Sequence, residues 1–180
     1  MCKSLFSLNN GFTLLEVSIA IFILTTGILG SFLLVQGTLS SSATLPSRLV
    51  AAHLAQEGVE IVRNIRDTNW VEGASSWDEG LDEGDYEIDY NDTDLPSLLS
   101  CSPSCGFNDL SFLYIDNGFY QYSGSGEKTN FKRKITISDK EDLDGDDKPD
   151  RLKVSVKVYW EIKGEPYEAV VTEENLYRWH

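Results

Sequence analysis

The sequence is poor in the residues that most often carry catalysis and redox chemistry. Its 180 residues include 2 His, 1 Met and 3 Cys, which leaves little for histidine-based catalysis or soft metal ligands. Basic residues are also scarce, since 15 Lys and Arg stand against 29 Asp and Glu, and the formal net charge is −14. Proteins that bind nucleic acids neutralise phosphates with clustered Lys and Arg. We therefore expect no direct nucleic-acid partner.

The pattern around the two histidines also argues against an enzyme. His53 falls on the polar side of a predicted helix, and His180 is the last residue. Neither has a nearby Ser or Cys to activate, and no glycine-rich phosphate loop follows a predicted strand. We therefore expect no catalytic residues.

Apolar residues are concentrated near the amino terminus. Residues 12–35 form a 24-residue run whose only charge is Glu16. At about 1.5 Å per residue this run makes roughly 36 Å of helix, enough to cross a hydrocarbon core of about 30 Å. Residues 67–127 contain 14 acidic side chains and no Lys or Arg. The sequence thus predicts a membrane-spanning helix followed by a strongly acidic surface.

The segment before this run is unlike an ordinary secretory signal peptide. Residues 1–11 carry one positive charge, Lys3, and no apolar stretch of their own. Gly11 stands before the apolar run, so cleavage there would leave the hydrophobic helix on the mature chain. The sequence Gly-Phe-Thr-Leu-Leu-Glu at 11–16 resembles the class III leader of type IV prepilins and pseudopilins.

The resemblance implies a role for three residues. Prepilin peptidase would cut after Gly11, which has no side chain to hinder close approach, and Phe12 would become a methylated amino terminus. A carboxylate within a membrane span is costly and needs a partner, so Glu16 would meet the amino-terminal ammonium of a neighbouring pilin subunit. The alternative from the residues alone is an ordinary signal anchor with a Glu near the interface.

The resemblance also implies a domain plan, a location and partners. Residues 1–11 would be a leader, 12–35 a transmembrane and filament-core helix, 36–68 its amphipathic continuation, and 69–180 an extracytoplasmic β-rich head. The precursor would sit in the cytoplasmic membrane and then join a cell-surface filament. Its partners would be other pilin subunits, prepilin peptidase, the membrane and a pilus or secretion assembly platform. The segment Thr-Thr-Gly-Ile-Leu-Gly at 25–30 looks like minor pilins of the PilV type.

Removal of the leader would leave an even number of cysteines. Cys2 would leave with residues 1–11, and Cys101 and Cys105 would remain as an even pair outside the cell. A small structural disulfide is the favoured interpretation, and two free thiols are the alternative. A redox-active pair more often has two intervening residues and opens a helix.

Helical spacing continues beyond the membrane run and then gives way to strands. We expect one long helix from about residue 12 to 66, with Pro46 kinking or interrupting it. Its later half has an apolar stripe that includes Val50, Leu54, Gly58, Ile61, Val62 and Ile65.

After Trp70 the sequence predicts short strands and a hairpin turn at Asp-Asn-Gly 116–118. Strands at 86–90, 112–115, 119–122 and 131–137 precede the clearest pattern, an alternating strand at 151–160 that pairs with another at 167–172. The stripe of the helix needs a surface to cover it. The predicted fold is α+β and pilin-like, a long amino-terminal helix packed on an antiparallel sheet.

An acidic loop is a candidate calcium site. In the sequence Asp-Leu-Asp-Gly-Asp-Asp-Lys-Pro-Asp at 142–150, four carboxylates alternate around Gly145. Ca²⁺ takes 6 to 8 oxygen ligands, and the string resembles the loops of thrombospondin type 3 repeats. The candidate ligands are Asp142, Asp144, Asp146 and Asp150. The alternative is a solvated acidic turn between two strands.

Three functions remain open at this point. The favoured function is a minor type IV pilin, and a pseudopilin of a type II secretion or DNA-uptake machine is close to it in mechanism. A bitopic membrane protein with a calcium-binding extracytoplasmic head is an alternative of another class.

Overall fold

The structure is a computed structural model, and it describes residues 11–42, 45–122, 126–146, 148–162 and 165–178. Residues 1–10 of the expected leader lie outside the described residues, as do Trp179 and His180. The chain divides into two compact units, residues 1–45 and residues 46–180. We describe the two units separately.

The first unit contains helix α1, Leu14–Ser42. Leu and Ile are its commonest apolar residues, and no Pro interrupts the run, so the backbone hydrogen bonds continue through the apolar segment. Every residue from 11 to 38 is exposed. The apolar surface of α1 is therefore not used to build a core within its own unit.

Helix α2, Leu45–Glu72, begins next to Pro46 and ends six residues beyond the predicted end at residue 66. A proline in the first turn costs the helix nothing, because its missing N–H would have no intrahelical partner there. The predicted stripe is confirmed, since the side chains at 54, 61, 62 and 65 are buried together with Gly58. The expected single long helix would include residues 43–44, which are outside the described residues.

The described residues of the second unit include seven strands in two antiparallel sheets. The strands are β1 Gly84–Tyr86, β2 Tyr114–Asp116, β3 Phe119–Gln121, β4 Glu127–Lys128, β5 Phe131–Glu141, β6 Arg151–Ile162 and β7 Glu165–Tyr177. The larger sheet has the order β1-β5-β6-β7, and the smaller has the order β3-β2-β4. A long amino-terminal apolar helix and an antiparallel sheet confirm the predicted α+β, pilin-like class.

The strands differ from the predictions mainly at their ends. The strand predicted at 86–90 is only the three residues of β1, which end at Tyr86, and β7 is longer than the predicted 167–172. The predicted hairpin turn is confirmed, because β2 pairs with β3. Asn117 and Gly118 have φ values of 51° and 87°, the left-handed region that such a two-residue turn requires.

The core lies between α2 and the larger sheet. Residues at alternate positions of β6 face it, and all are at most 2 % exposed: Leu152, Val154, Val156, Val158 and Trp160. The closest approach of helix and sheet is at Gly58. A Cβ atom there would lie 2.8 Å from Val156 Cγ1 and 3.3 Å from Ile135 Cδ1. The glycine therefore lets α2 lie directly on β5 and β6.

Cys101 and Cys105 form a disulfide in a loop that follows β1. Asp85, which is fully buried, holds this loop against the sheet. Its carboxylate accepts hydrogen bonds from Cys105 N at 3.1 Å, Lys134 Nζ at 3.1 Å and Thr136 Oγ1 at 2.6 Å. A buried charge needs such a set of donors to offset its lost hydration.

Candidate functional site

The functional candidates of the first unit lie at the start of α1. Gly11, Phe12 and Thr13 precede the helix and are exposed. The hydroxyl of Thr13 accepts a hydrogen bond from Glu16 N at 3.2 Å, so Thr13 caps the helix. Glu16 therefore lies in the first turn, where the helix dipole favours a negative charge.

The spacing of Phe12 and Glu16 is chemically significant. Cleavage after Gly11 would create an ammonium group on Phe12, one helical turn before the carboxylate of Glu16. Both residues are exposed, Phe12 to 82 %. Each copy of the chain could thus present a positive and a negative group side by side at one end of an apolar helix.

The surface of α1 suits an apolar environment. Leu14–Thr38 contains an 18-residue window with a mean hydropathy of 2.3, none of which is buried, so this helix is long and apolar enough to cross a membrane. The Ser and Thr hydroxyl groups of this segment are compatible with an apolar environment, because each donates a hydrogen bond to a backbone carbonyl three or four residues earlier. These residues are Ser18, Thr25, Thr26, Ser31 and Thr38. Lipid offers polar groups no water to bind, so these groups must form their hydrogen bonds within the protein.

The acidic loop of the second unit brings together three of its four candidate ligands. One carboxylate oxygen each from Asp142, Asp144 and Asp146 can be chosen so that all three lie within 4.8 Å of one another, and all three residues are exposed. Backbone N–H groups of the loop donate to these side chains, for example Gly145 N to Asp142 Oδ1 at 2.6 Å. The set offers hard oxygens, which fit Ca²⁺.

Asp150 does not join this group. It is only 6 % exposed, and its Oδ2 accepts a hydrogen bond from Leu143 N at 2.9 Å. Its backbone also closes the loop, since Asp150 N donates to Glu141 O at 2.8 Å. Asp150 therefore shapes the base of the loop, which the spacing of the carboxylates in the sequence does not reveal.

A positive charge of the chain already lies at this loop. Arg178 Nη1 is 2.9 Å from Asp146 Oδ2 and 3.6 Å from Asp150 Oδ1. The hydrogen bond from Arg178 lowers the pKa of the Asp146 carboxyl below its usual range. A cation that enters the loop would compete with Arg178 for Asp146.

Two charged residues that are fully buried were not predicted from the sequence. Asp85 anchors the disulfide loop, and Arg133 lies fully buried in the core with its Nη2 donating to Ile88 O at 2.7 Å. The alternation of β5 could have indicated Arg133, because it shares the inward face with Phe131 and Ile135. Nothing in the local pattern around Asp85 indicates its three partners.

Comparison with known proteins gives one match. The family model for the prokaryotic N-terminal methylation motif matches residues 7–32. No curated protein and no solved structure matches the chain. The match covers residues 7–11 of the expected leader and most of the predicted membrane helix, including the three residues identified above, 11, 12 and 16.

The motif at residues 7–32 supports a relationship of this amino-terminal segment to the type IV pilin and pseudopilin superfamily. Proteins of this class are structural subunits made as prepilins. The motif implies processing by prepilin peptidase and assembly with other pilins. Together with the apolar helix α1, it fits a single-pass precursor anchored in a membrane.

Proposed function

We propose that this protein is a minor type IV pilin, cut after Gly11 and assembled into a pilus-like filament through its hydrophobic amino-terminal helix. The observation that carries the proposal is the methylation motif at residues 7–32 on a helix whose apolar surface is entirely exposed. Such a surface must be covered by lipid in the precursor and by other apolar helices after it leaves the membrane. The segment at 25–30 supports the narrower PilV-type assignment.

The pairing of opposite charges supports the proposed assembly step. In a filament, the Glu16 carboxylate of one subunit would accept the ammonium of the neighbour's Phe12. Burying both charges together avoids the cost of leaving either one alone in an apolar core. The same pairing would set the axial register of one helix against the next.

A pseudopilin of a secretion or DNA-uptake machine is the second candidate. It would use the same motif and the same helix, so residues 11–42 support both candidates equally. The composition of isolated filaments distinguishes them. The minor-pilin proposal predicts that the protein occurs in sheared and purified surface pili, at a small fraction of the main subunit.

Processing can be tested by co-expression of the full chain with a prepilin peptidase. Mass spectrometry of the product should show loss of residues 1–11 and one methyl group on Phe12. Gly11→Val should block cleavage because its side chain hinders the peptidase. A Cβ at Gly11 has no neighbour within 4 Å, so the change does not disturb the fold. Asn10→Ala is the matched control and should be cut normally, whereas an intact amino terminus on the wild-type protein contradicts the proposal.

Assembly can be tested with Glu16→Gln, which removes the charge and keeps the shape. We expect the variant to be processed but to be lost from purified pili by tenfold or more. Glu72→Gln, which removes an exposed carboxylate at the end of α2, is the control. Incorporation of Glu16→Gln at the wild-type level would contradict the proposed charge pairing.

A further inference from the structure

The carboxy-terminal end of α2 forms one wall of an open cavity of about 240 Å³. Trp70 and Asn69 lie on the helix side, Ser75 and Ser76 come from the loop that follows, and Lys148 and Arg178 close the opposite side. All of these residues belong to the unit 46–180. The volume is below the range of about 300–1,000 Å³ typical of pockets for drug-sized ligands, so the cavity suits a single small ring.

The walls of the cavity are held in place without a ligand. Trp77 is buried beneath it and donates from Nε1 to Pro149 O at 2.6 Å, which ties the loop before β6 to the loop after α2. Asn69 Nδ2 donates to Trp77 O at 3.2 Å and to Glu79 O at 2.8 Å. A preformed cavity binds with less loss of conformational entropy than a flexible one.

Trp70 is the prominent aromatic side chain of the site. It remains 50 % exposed although it is large and apolar and borders a cavity. An indole face offers a flat apolar platform with a polar N–H at its edge. The C–H face of a sugar ring is a matching surface, because it is apolar while the hydroxyl groups point outward to the rim.

The polar groups around Trp70 match hydroxyl groups. Lys148 is exposed and provides ammonium donors, and Arg178 places Nη1 at 2.9 Å from Asp146 Oδ2 and 3.6 Å from Asp150 Oδ1. The hydroxyl of Ser75 donates to Glu79 Oε2 at 2.8 Å and keeps its oxygen available as an acceptor. Donors and acceptors therefore stand together at the rim, as a hydroxyl group requires.

Charges of both signs lie close to the cavity, so neither an anion nor a cation is favoured by all of them. Lys148 and Arg178 at the wall repel a cation, which would bind more favourably to the nearby carboxylates. The acidic loop at 142–150 repels an anion, because it holds more carboxylates than the wall holds cations. A neutral ligand with hydroxyl groups avoids both penalties.

We propose that this cavity binds a neutral pyranose ring of a glycan, with the ring stacked on Trp70 and its hydroxyl groups bonded to Lys148 and Arg178. This activity goes beyond the proposed role as a filament subunit and does not depend on it. It would give the filament a carbohydrate contact on the surface of the head.

The test uses the full chain in a detergent without a sugar head group, such as lauryldimethylamine oxide. The methyl glycosides of glucose, galactose, N-acetylglucosamine and glucuronic acid are titrated, and binding is followed by saturation-transfer NMR and indole fluorescence. We expect saturable binding of at least one neutral glycoside, more tightly than the glucuronide. Trp70→Ala should weaken that binding tenfold or more.

Val71→Ala is the matched control, because Val71 is 83 % exposed and lies outside the cavity wall. It should bind as the wild type does, and both variants should keep the wild-type unfolding temperature. Three outcomes overturn the proposal. They are no binding to any neutral glycoside at tens of millimolar, binding that Trp70→Ala leaves unchanged, and a preference for the glucuronide.

Discussion

Arg133 on β5 and Glu57 on α2 form an ion pair across the core, with 3.4 Å between Nη1 and Oε2. The arginine side chain is fully buried, whereas the glutamate side chain is 34 % exposed. Arg133 also donates to the backbone carbonyl oxygens of Leu54 and Ile88. The pair thus joins helix, sheet and the loop after β1 at one point.

Loss of the carboxylate should leave the buried guanidinium without its ionic partner. We expect Glu57→Gln to lower the free energy of unfolding by about 1–3 kcal/mol, less than for a fully buried pair because Glu57 is partly hydrated. Urea denaturation of the full chain in detergent micelles measures the change.

Arg133→Met supplies the control for this prediction. Arg133→Met replaces the guanidinium with an apolar side chain of similar length, so Glu57 has no ionic partner left to lose in this background. In the Arg133→Met background, Glu57→Gln should cost much less than it does alone. Equal losses in both backgrounds would show that the pair is not responsible.

Gly58 should not tolerate a side chain. Alanine would gain about 1 kcal/mol of helix propensity, but its Cβ would lie 2.8 Å from Val156 Cγ1. Because overpacking costs about 1–3 kcal/mol, we expect net destabilisation, seen as a lower urea midpoint. Val156→Ala introduced together with Gly58→Ala should recover part of the loss. A more stable Gly58→Ala single variant would contradict the close packing of α2 on β6.

The pair of Asp78 and Lys140 should make the stability of the fold depend on pH in the acid range. Burial raises the pKa of the Asp78 carboxyl, but the hydrogen bonds from Lys140 Nζ, at 2.8 Å, and from Ser76 lower it by more, so the pKa lies below its usual range. A carboxyl with a lowered folded-state pKa stabilises the fold fully above its unfolded pKa. This contribution is lost as the pH falls through the folded pKa.

When the pH falls below about 4, Asp78→Asn should therefore lose less stability than the wild type does. Urea midpoints between about pH 2 and 6 test this. Asp94→Asn, at an exposed position, should keep the wild-type pH dependence. A parallel pH profile for Asp78→Asn and the wild type would contradict the assignment.

Calcium binding at the loop of residues 142–150 stays a prediction. We expect millimolar Ca²⁺ to raise the unfolding temperature and to give a calorimetric binding signal, because a ligand that binds only the folded state stabilises it. Asp144→Ala should abolish both effects, and Asp94→Ala should change neither. Absence of any heat or stabilisation in the wild type would exclude the site.

The position of Arg178 leads to a second prediction, on the affinity of the loop for calcium. Arg178→Gln removes a positive charge that contacts Asp146 and lies 3.6 Å from Asp150. Ca²⁺ should then bind several-fold more tightly, because its ligand oxygen is released and a repulsive charge is gone. Weaker binding in Arg178→Gln would mean that the arginine organises the loop instead of competing with the cation.

Local patterns were sufficient for the secondary structure. The uninterrupted apolar run defined α1, and the stripe with helical spacing defined the buried face of α2. The alternation at 151–160 identified the inward face of β6. These features depend on residues close together in the chain, whose periodicity follows from backbone geometry. The boundaries were less accurate, because the end of α2 and the length of β7 depend on partners distant in sequence.

The sequence by itself determined that this protein has an apolar amino-terminal helix with a prepilin motif at Gly11, Phe12 and Glu16, and a separate acidic head. Only the tertiary structure decided which charges are buried and what they contact. Arg133 meets Glu57 from a position 76 residues later in the chain, and Asp150 lies apart from the other loop carboxylates. Trp70 and Lys148 come together at one cavity. Such contacts depend on how helix, sheet and loops pack in three dimensions, and no local spacing encodes them.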